Sequence, residues 1–567
     1  MERRRIIPLI GVFIFIIALV GVLVGENIKK HTPSKKHISE AEIKEMFGVD
    51  DENMPVVLND VLAEGKAYEI DGQTYLGYSF VKEKLNKKFY WDNNENYLIY
   101  TTPTEIIKAE LGTNEYFVNK AKKQTDYQIV KTNGDQVYVN LEFVKQFTAM
   151  ETTVLDSPKR VCIISNYGKK IKSVTATKSG QIRQGTSIKD KIVYDVNKED
   201  TMIVVKQDEN QDEDWLKVSV NGGYTGYIKK SILSEEQELV RKTDFKKPEY
   251  DSISKDGTIC MAWHMVTSEA ANATIFDVTA NAKGLNVISP TWFRICDDDG
   301  NISSIADSLY VQRAHQMGID VWAMVDDQSP DSNDANVFPY TSKRENLENQ
   351  LVAAAIEYGL DGINIDFEHI KPDFADDYIQ FIRELSVKCR INGIVLSIDT
   401  YANASMYDYF NCEEQGELAD YIVIMSYDEH YSGSKEAGSV ASLSWVKEGI
   451  EGMLEKVPSE KIVNGMPFYT RIWEEKDGKL SSRALGMEDS WNEMNLNNAE
   501  TIWVEDFGQT YAEYERDGAT YRSWLEDAKS TEERMKLIGE YGLAGVSCWR
   551  LGFETADVWN TIVKYVN

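Results

Sequence analysis

The chain is 567 residues long, too long for a single core, and its 42% hydrophobic and 27% charged residues exclude both wholesale disorder and a many-span membrane protein. It carries 62 basic and 92 acidic residues, a net charge of −30, which repels nucleic acid and other polyanions. The imbalance is local: residues 1–250 hold 37 basic and 37 acidic side chains, whereas residues 251–567 hold 25 and 55, so a boundary falls near residue 250.

The N-terminus reads Glu2-Arg3-Arg4-Arg5 and then runs uncharged from Ile6 to Gly25. As a helix those residues span about 30 Å, the thickness of a bilayer core. Residues 1–25 are therefore expected to be a transmembrane helix with a short cytoplasmic tail. A cleaved signal peptide is the competing reading, but the run is long and no small-x-small cleavage site follows it. Residues 26–47 are polar and read as a linker. Residues 48–165 contain a repeat: Tyr75-Leu76-Gly77-Tyr78-Ser79-Phe80-Val81-Lys82 matches Tyr138-Val139-Asn140-Leu141-Glu142-Phe143-Val144-Lys145. Each copy then reaches an apolar strand, Tyr97–Tyr100 or Val161–Ile164, so the stretch reads as a duplicated α+β module. Residues 166–235 show short strands broken by turns at 173–177, 191–197, 201–207, 215–220 and 226–232, an all-β pattern. Residues 236–250, rich in Glu and Lys, read as a second linker.

From 251 to 567 eight short apolar runs alternate with helical patterns: 259–266, 286–290, 320–325, 362–367, 395–398, 421–425, 461–466 and 545–548. Eight β/α repeats in that length fit a TIM barrel. A doubly wound open sheet is the alternative, but no Gly-rich turn follows the first strand. The gap from Thr470 to Lys536 is too long for one loop and is expected to hold an inserted α+β subdomain on the catalytic face. Barrel sites lie at the C-terminal strand ends. Those ends carry Trp263 and His264, Trp292, Asp326 and Asp327, Asp399 and Tyr401, Tyr469 and Arg471, and Trp549 and Arg550.

The fourth run, Asp361-Gly362-Ile363-Asn364-Ile365-Asp366-Phe367-Glu368, is the most informative. Alternation puts Asn364, Asp366 and Glu368 on one face and Ile363, Ile365 and Phe367 on the other. A ladder of carboxylates pointing into a barrel carries a desolvation cost. Repulsion should keep one of Asp366 and Glu368 protonated near neutral pH, the state a general acid needs. Six histidines and six cysteines show no metal-ligand spacing, so no metal and no cofactor is expected.

These residues resemble glycoside hydrolase family 18, the chitinase-type barrel, whose fourth strand carries D-x-x-D-x-D-x-E and whose sixth carries M-x-Y-D, here Met425-Ser426-Tyr427-Asp428. Tyr427-Asp428-Glu429-His430-Tyr431, Ser481–Met487 and Trp524–Asp527 are closest to its bacterial cell-wall and spore-cortex branch. The resemblance implies substrate-assisted, retaining hydrolysis of β-1,4 bonds next to N-acetylglucosamine. Within it Glu368 is the acid and base, Asp366 orients the 2-acetamido group, and Tyr427 hydrogen-bonds that group. Asp361 and Asn364 complete the catalytic motif, and Asp428, Met425, Trp549, Tyr469, Arg471, Trp263 and Trp292 bind substrate. Asn364 stands where many members have Asp; an amide can bond Asp366 but cannot share its proton. The repeat resembles the N-terminal domain of copper amine oxidases, without implying copper, since no histidine lies between 48 and 165. The strands around Trp215–Ile228 are similar to bacterial SH3-like domains, which bind cell-wall peptide or glycan.

The resulting expectation is a membrane-anchored glycosidase on the wall side of a Gram-positive bacterium. Its partners are an N-acetylglucosamine-containing glycan, the wall through the SH3-like domain and the membrane through the N-terminal helix, with no nucleic acid. A chitinase and a non-catalytic wall-glycan-binding protein are the alternatives.

Overall fold

The computed structural model describes residues 6–49, 53–206, 213–402 and 406–566. Arg3, Arg4 and Arg5, the expected cytoplasmic tail, lie outside the described residues. The segment Ile6–His31 is helical, with Lys29, Lys30 and His31 in its last turn. The expected transmembrane helix is corrected, because among the described residues no helix is long and apolar enough to cross a membrane. The single-pass membrane localisation and the membrane as a partner fall with it.

The chain divides into two compact units. The first comprises Met1–Phe89, Glu110–Glu115 and Gln124–Lys247, and holds two seven-stranded sheets. In one of them the two copies of the repeat meet. Strands Gln73–Gly77 and Gln136–Asn140 pair antiparallel with Leu76 directly opposite Val139, its own counterpart in the other copy. The duplication thus folds about a local pseudo-twofold, and each strand leads into a helix, Tyr78–Phe80 or Leu141–Gln146. The other sheet is all antiparallel and packs Ile182, Met202, Leu216, Val218 and Ile228 into its own core. It includes the strand Gln237–Val240, inside the stretch read as a linker, which pairs with Lys170–Thr175.

The second unit comprises Tyr90–Ala109, Tyr116–Lys123 and Pro248–Asn567. Its centre is a closed parallel barrel. The strands are β1 (Ile259–His264), β2 (Val287–Ile295), β3 (Asp320–Asp326) and β4 (Gly362–Asp366), then β5 (Val395–Tyr401), β6 (Tyr421–Met425), β7 (Ile462–Pro467) and β8 (Gly545–Trp549). Each pairs with its neighbours in order, and β8 returns to β1. The eight expected strands and the TIM barrel are therefore present. Two apolar layers hold it. Met261, Trp263, Trp322, Met324, Val423 and Val463 fill the interior, and the outward faces of the strands pack against the helices. Gly362 is required here, because a Cβ would lie 2.6 Å from the Trp322 ring, which stacks on Tyr421 inside the barrel.

Two of the surrounding helices matter below, α1 (Thr341–Tyr358) and α2 (Ala375–Asn392). Residue Tyr340 offers α1 no side-chain cap. The cap comes from a β-meander that takes in Tyr97–Thr101, so that stretch does not close the first repeat copy in the way expected, as the counterpart of Lys159–Ile164. Asp92 accepts from the Thr341 backbone N–H at 2.7 Å, and Glu95 accepts from that of Ser342 at 2.6 Å. The expected inserted subdomain is also present. It is a five-stranded antiparallel sheet, from Tyr469–Lys476 to Ala519–Leu525, with the helix Met487–Leu496 and a core of Ile472, Met494, Ala512 and Leu525.

Candidate functional site

A cavity of about 530 Å³ opens at the C-terminal ends of the barrel strands. Four carboxylates line it: Asp326, Asp366, Glu368 and Asp428. The alternation of β4 aims Asn364 and Asp366 inward, and Glu368 follows at its tip. Asp366 is buried, at 6% exposure, and its Oδ1 has no hydrogen-bond partner. Burial pushes its pKa well above the usual carboxylate range, and the neighbouring Asp399 and Glu368 push the same way. Glu368 is half-buried. Its Oε2 accepts from the Tyr401 hydroxyl at 3.0 Å and its Oε1 from Gln328 Nε2 at 2.9 Å. Burial raises its pKa too; the Tyr401 hydrogen bond works against that, and Asp327 adds to it. Asp327 also fixes the loop, accepting from the backbone N–H of Glu368 at 3.1 Å and of His369 at 2.7 Å.

The other carboxylates are engaged. Arg294 forks onto Asp326 at 2.6 and 3.0 Å. Asp428, held at a left-handed φ of 61°, accepts from the Tyr469 hydroxyl at 2.6 Å. The Tyr427 hydroxyl keeps its proton, because burial and then Asp366 and Asp399 raise its pKa far above the ordinary value. The Trp549 ring meets Trp263 edge-on at 5.7 Å. A wall of acid, neutral hydroxyl and aromatic surface of this kind can donate a proton, hold an amide and stack a sugar ring.

The cavity gathers eight of the sequence-derived residues: Glu368, Asp366, Tyr427, Asp428, Met425, Trp549, Tyr469 and Trp292. Four do not line it. Asp361 lies at the opposite end of β4, where it bonds the His315 ring and the Val321 backbone N–H, each at 2.8 Å. Trp263 sits below the cavity and donates to Asn364 at 3.0 Å. Arg471 lies in the inserted sheet, bonded to Ser482 at 3.0 Å. Asn364 is fully buried and does not bond Asp366 as expected. Its Oδ1 accepts from Trp263 and Ser289, and its Nδ2 donates to Ser397 and Asp399. Both halves of the amide are satisfied by that set, which an aspartate could not reproduce.

Gln328 and Arg294 line the cavity and were not singled out from sequence. Gln328 stands one residue beyond the acidic pair at the end of β3. Arg294 is an outlying cation in an extended β2, and no local pattern marks either one.

Residues 301–554 match the family model Glycosyl hydrolases family 18, so β1 and β2 precede the matched stretch. Residues 57–163 match the Copper amine oxidase N-terminal domain. Those residues contain no histidine, and among the described residues no group of three or more His, Cys, Asp or Glu is arranged to hold a metal ion. The chain is 26% identical over 300 residues to the uncharacterized glycosylase YvbX of Bacillus subtilis (strain 168), covering 49% of this chain and 84% of that protein. It is 31% identical over 232 residues to the cortical fragment-lytic enzyme of the same organism, covering 39% of this chain and 52% of that enzyme. It thus spans only about half the length of that second relative. The crystal structure of the Bacillus cereus spore cortex-lytic enzyme SleL aligns with a TM-score of 0.50 at 20% identity, over 58% of this chain and 77% of that one, which shows a shared fold. Residues 301–554, which hold β3 to β8 of the barrel, are thus the part of the chain that matches glycosyl hydrolase family 18.

Proposed function

We propose that the chain hydrolyses β-1,4 bonds next to N-acetylglucosamine in cell-wall peptidoglycan by a substrate-assisted, retaining mechanism. The observation that carries this reading is the division of labour among the four cavity carboxylates. Glu368 alone is half-exposed, raised in pKa and placed at a strand tip, as a general acid must be. Asp326 is occupied by Arg294, Asp428 by Tyr469, and Asp366 is recessed. These engagements support the reading that the family resemblance implies, in which the substrate's own 2-acetamido oxygen is the nucleophile. Glu368 protonates the leaving oxygen and then draws a proton from the attacking water. Asp366 and Tyr427 hold the acetamido group while it carries positive charge, and Trp549 supports the ring. Similarity to a cortical fragment-lytic enzyme favours a wall glycan over chitin. The all-β unit of residues 166–235, by its SH3-like pattern, is the proposed wall-contacting part.

The test is incubation of the purified protein with peptidoglycan, followed by analysis of released fragments for new reducing N-acetylglucosamine ends. Glu368→Gln should lower the rate by roughly 10²–10⁴-fold. No release by the folded protein, or equal release by that variant, refutes the reading. Faster turnover of chitooligosaccharides than of wall glycans makes the protein a chitinase instead.

A further inference from the structure

We propose that Asp399, on β5, is a positioning residue that shares one proton with Asp366 across the β4–β5 strand pair. Four observations lead there. First, the register aligns Asn364 with Ser397 and Ile365 with Ile398, so the next inward pair is Asp366 beside Asp399, on strands about 4.8 Å apart. Second, both side chains are buried, at 6% and 2% exposure. Third, each has one carboxyl oxygen without a partner, Oδ1 of Asp366 and Oδ2 of Asp399. Two buried acceptors left empty on adjacent residues can be satisfied together by one proton held between them. Fourth, Asn364 donates to the remaining Asp399 oxygen, Oδ1, at 2.7 Å, which turns the empty oxygen away from that bond.

The neighbourhood explains why the proton belongs on this side. On the other flank Asp326 is in register with Asp366, but the Arg294 fork matches its charge. The remaining groups facing Asp366 are Glu368, Asp327 and the neutral Tyr427; Asp399 faces Glu368, Asn364 and the Trp263 ring N–H. Burial, ahead of their mutual repulsion, raises the pKa of Asp366, and burial dominates for Asp399 as well. The Asn364 amide is thus the reason the arrangement works: it stabilises Asp399 as the ionised member and leaves Asp366 to carry the proton. On the proposed reading of the reaction, Asp366 takes that proton toward the acetamido group, and Asp399 keeps the negative charge against Asn364.

The test begins without substrate, so it is independent of which glycan is cleaved. Carboxyl carbons of ¹³C-aspartate-labelled protein are titrated by NMR, with Asp366→Asn and Asp399→Asn assigning the two signals. In wild type the pair should show two coupled steps, the upper well above the ordinary carboxylate range. In Asp399→Asn the Asp366 signal should titrate lower by about one pH unit or more. An Asp366 titration that does not move overturns the proposal. Should Asp399→Asn not fold, Asp366→Asn gives the same reading from the Asp399 signal. The decisive variant is the exchange Asn364→Asp with Asp399→Asn, which returns the second carboxylate to β4. It should recover the upper step, and on any glycan the wild type cleaves it should restore most of a kcat loss of about tenfold or more seen in Asp399→Asn, with KM little changed. An exchange variant that behaves like Asp399→Asn alone also overturns it. A wild type that cleaves nothing while still showing the coupled steps refutes the proposed function and leaves the shared proton standing.

Discussion

Tyr401 sets the working range of the acid. Its hydroxyl donates to Glu368 Oε2 and so favours the ionised form, opposing the burial that raises the pKa. Removing that donor in Tyr401→Phe should raise the Glu368 pKa further. The protonated acid then persists to higher pH, and the alkaline limb of kcat/KM should move up by about half a unit to one unit. A pH–rate profile measures this directly; a limb that moves down contradicts the assignment. His264 behaves in the opposite sense for stability. Burial, ahead of the Arg550 charge, lowers its pKa to about 4, while its ring bonds Tyr310 at 2.9 Å. The unfolded chain takes up that proton near pH 6.5, so His264 should lower stability as pH falls from about 6.5 to about 4, by on the order of 2–3 kcal/mol. Urea unfolding of wild type and His264→Gln across that range should show a shallower acid decline in the variant. The acid and its recessed neighbour were legible in sequence, because strand alternation alone puts Asp366 and Glu368 on the inward side. Asp361 was grouped with them by a linear motif. A strand has two ends, however, and five residues of strand carry Asp361 about 16 Å from Asp366. Arg294 and Gln328 reach the cavity only through the tertiary path of β2 and of the loop after β3.

At the scale of elements, the barrel strands could be read from sequence because buried parallel strands are short Val- and Ile-rich runs that alternate with helical patterns. The cap of α1 could not, since Asp92 lies 249 residues from Thr341. Asp92 is fully buried and accepts from both the backbone N–H and the hydroxyl of Thr341, at the positive end of the helix dipole. Behind it the buried Arg344 bonds Glu384 of α2, the Phe338 carbonyl and the Tyr90 hydroxyl, and Tyr90 donates to Asp377 at 2.6 Å. The meander therefore acts as part of the barrel, although it is inserted in the repeat module. Asp92→Ala should destabilise the protein by about 1–2 kcal/mol in urea unfolding. Asp92→Asn, which keeps an acceptor oxygen, should lose less. Equal stability of wild type and Asp92→Ala would show that the backbone groups of α1 find water instead. A barrel expressed from residue 251 onward should be less stable than the full chain for the same reason.

For the molecule as a whole, the −30 belongs to residues 251–567, and four of their 55 acidic side chains line the cavity. Most of the remainder form a solvated surface that shapes the approach of substrate and leaves the bond-breaking chemistry alone. Peptidoglycan fragments carry carboxylates on their peptides, whereas N-acetylglucosamine oligomers are neutral. At about 0.01 M salt the screening length is about 30 Å, and an acidic barrel repels an anionic fragment before contact; at about 0.1 M it is about 10 Å, and most of that repulsion is gone. The value of kcat/KM for charged wall fragments should therefore rise several-fold between those two salt concentrations, through the encounter rate and with kcat unchanged. Neutral oligomers, cleaved at the same site, should show no such rise. Measuring both substrates on one preparation separates field from chemistry, since any salt effect on the acid or its neighbours would move the two together. A rate that falls with salt for the charged fragments would mean that the net-neutral N-terminal portion, with its scattered lysines, attracts them more strongly than the barrel repels them.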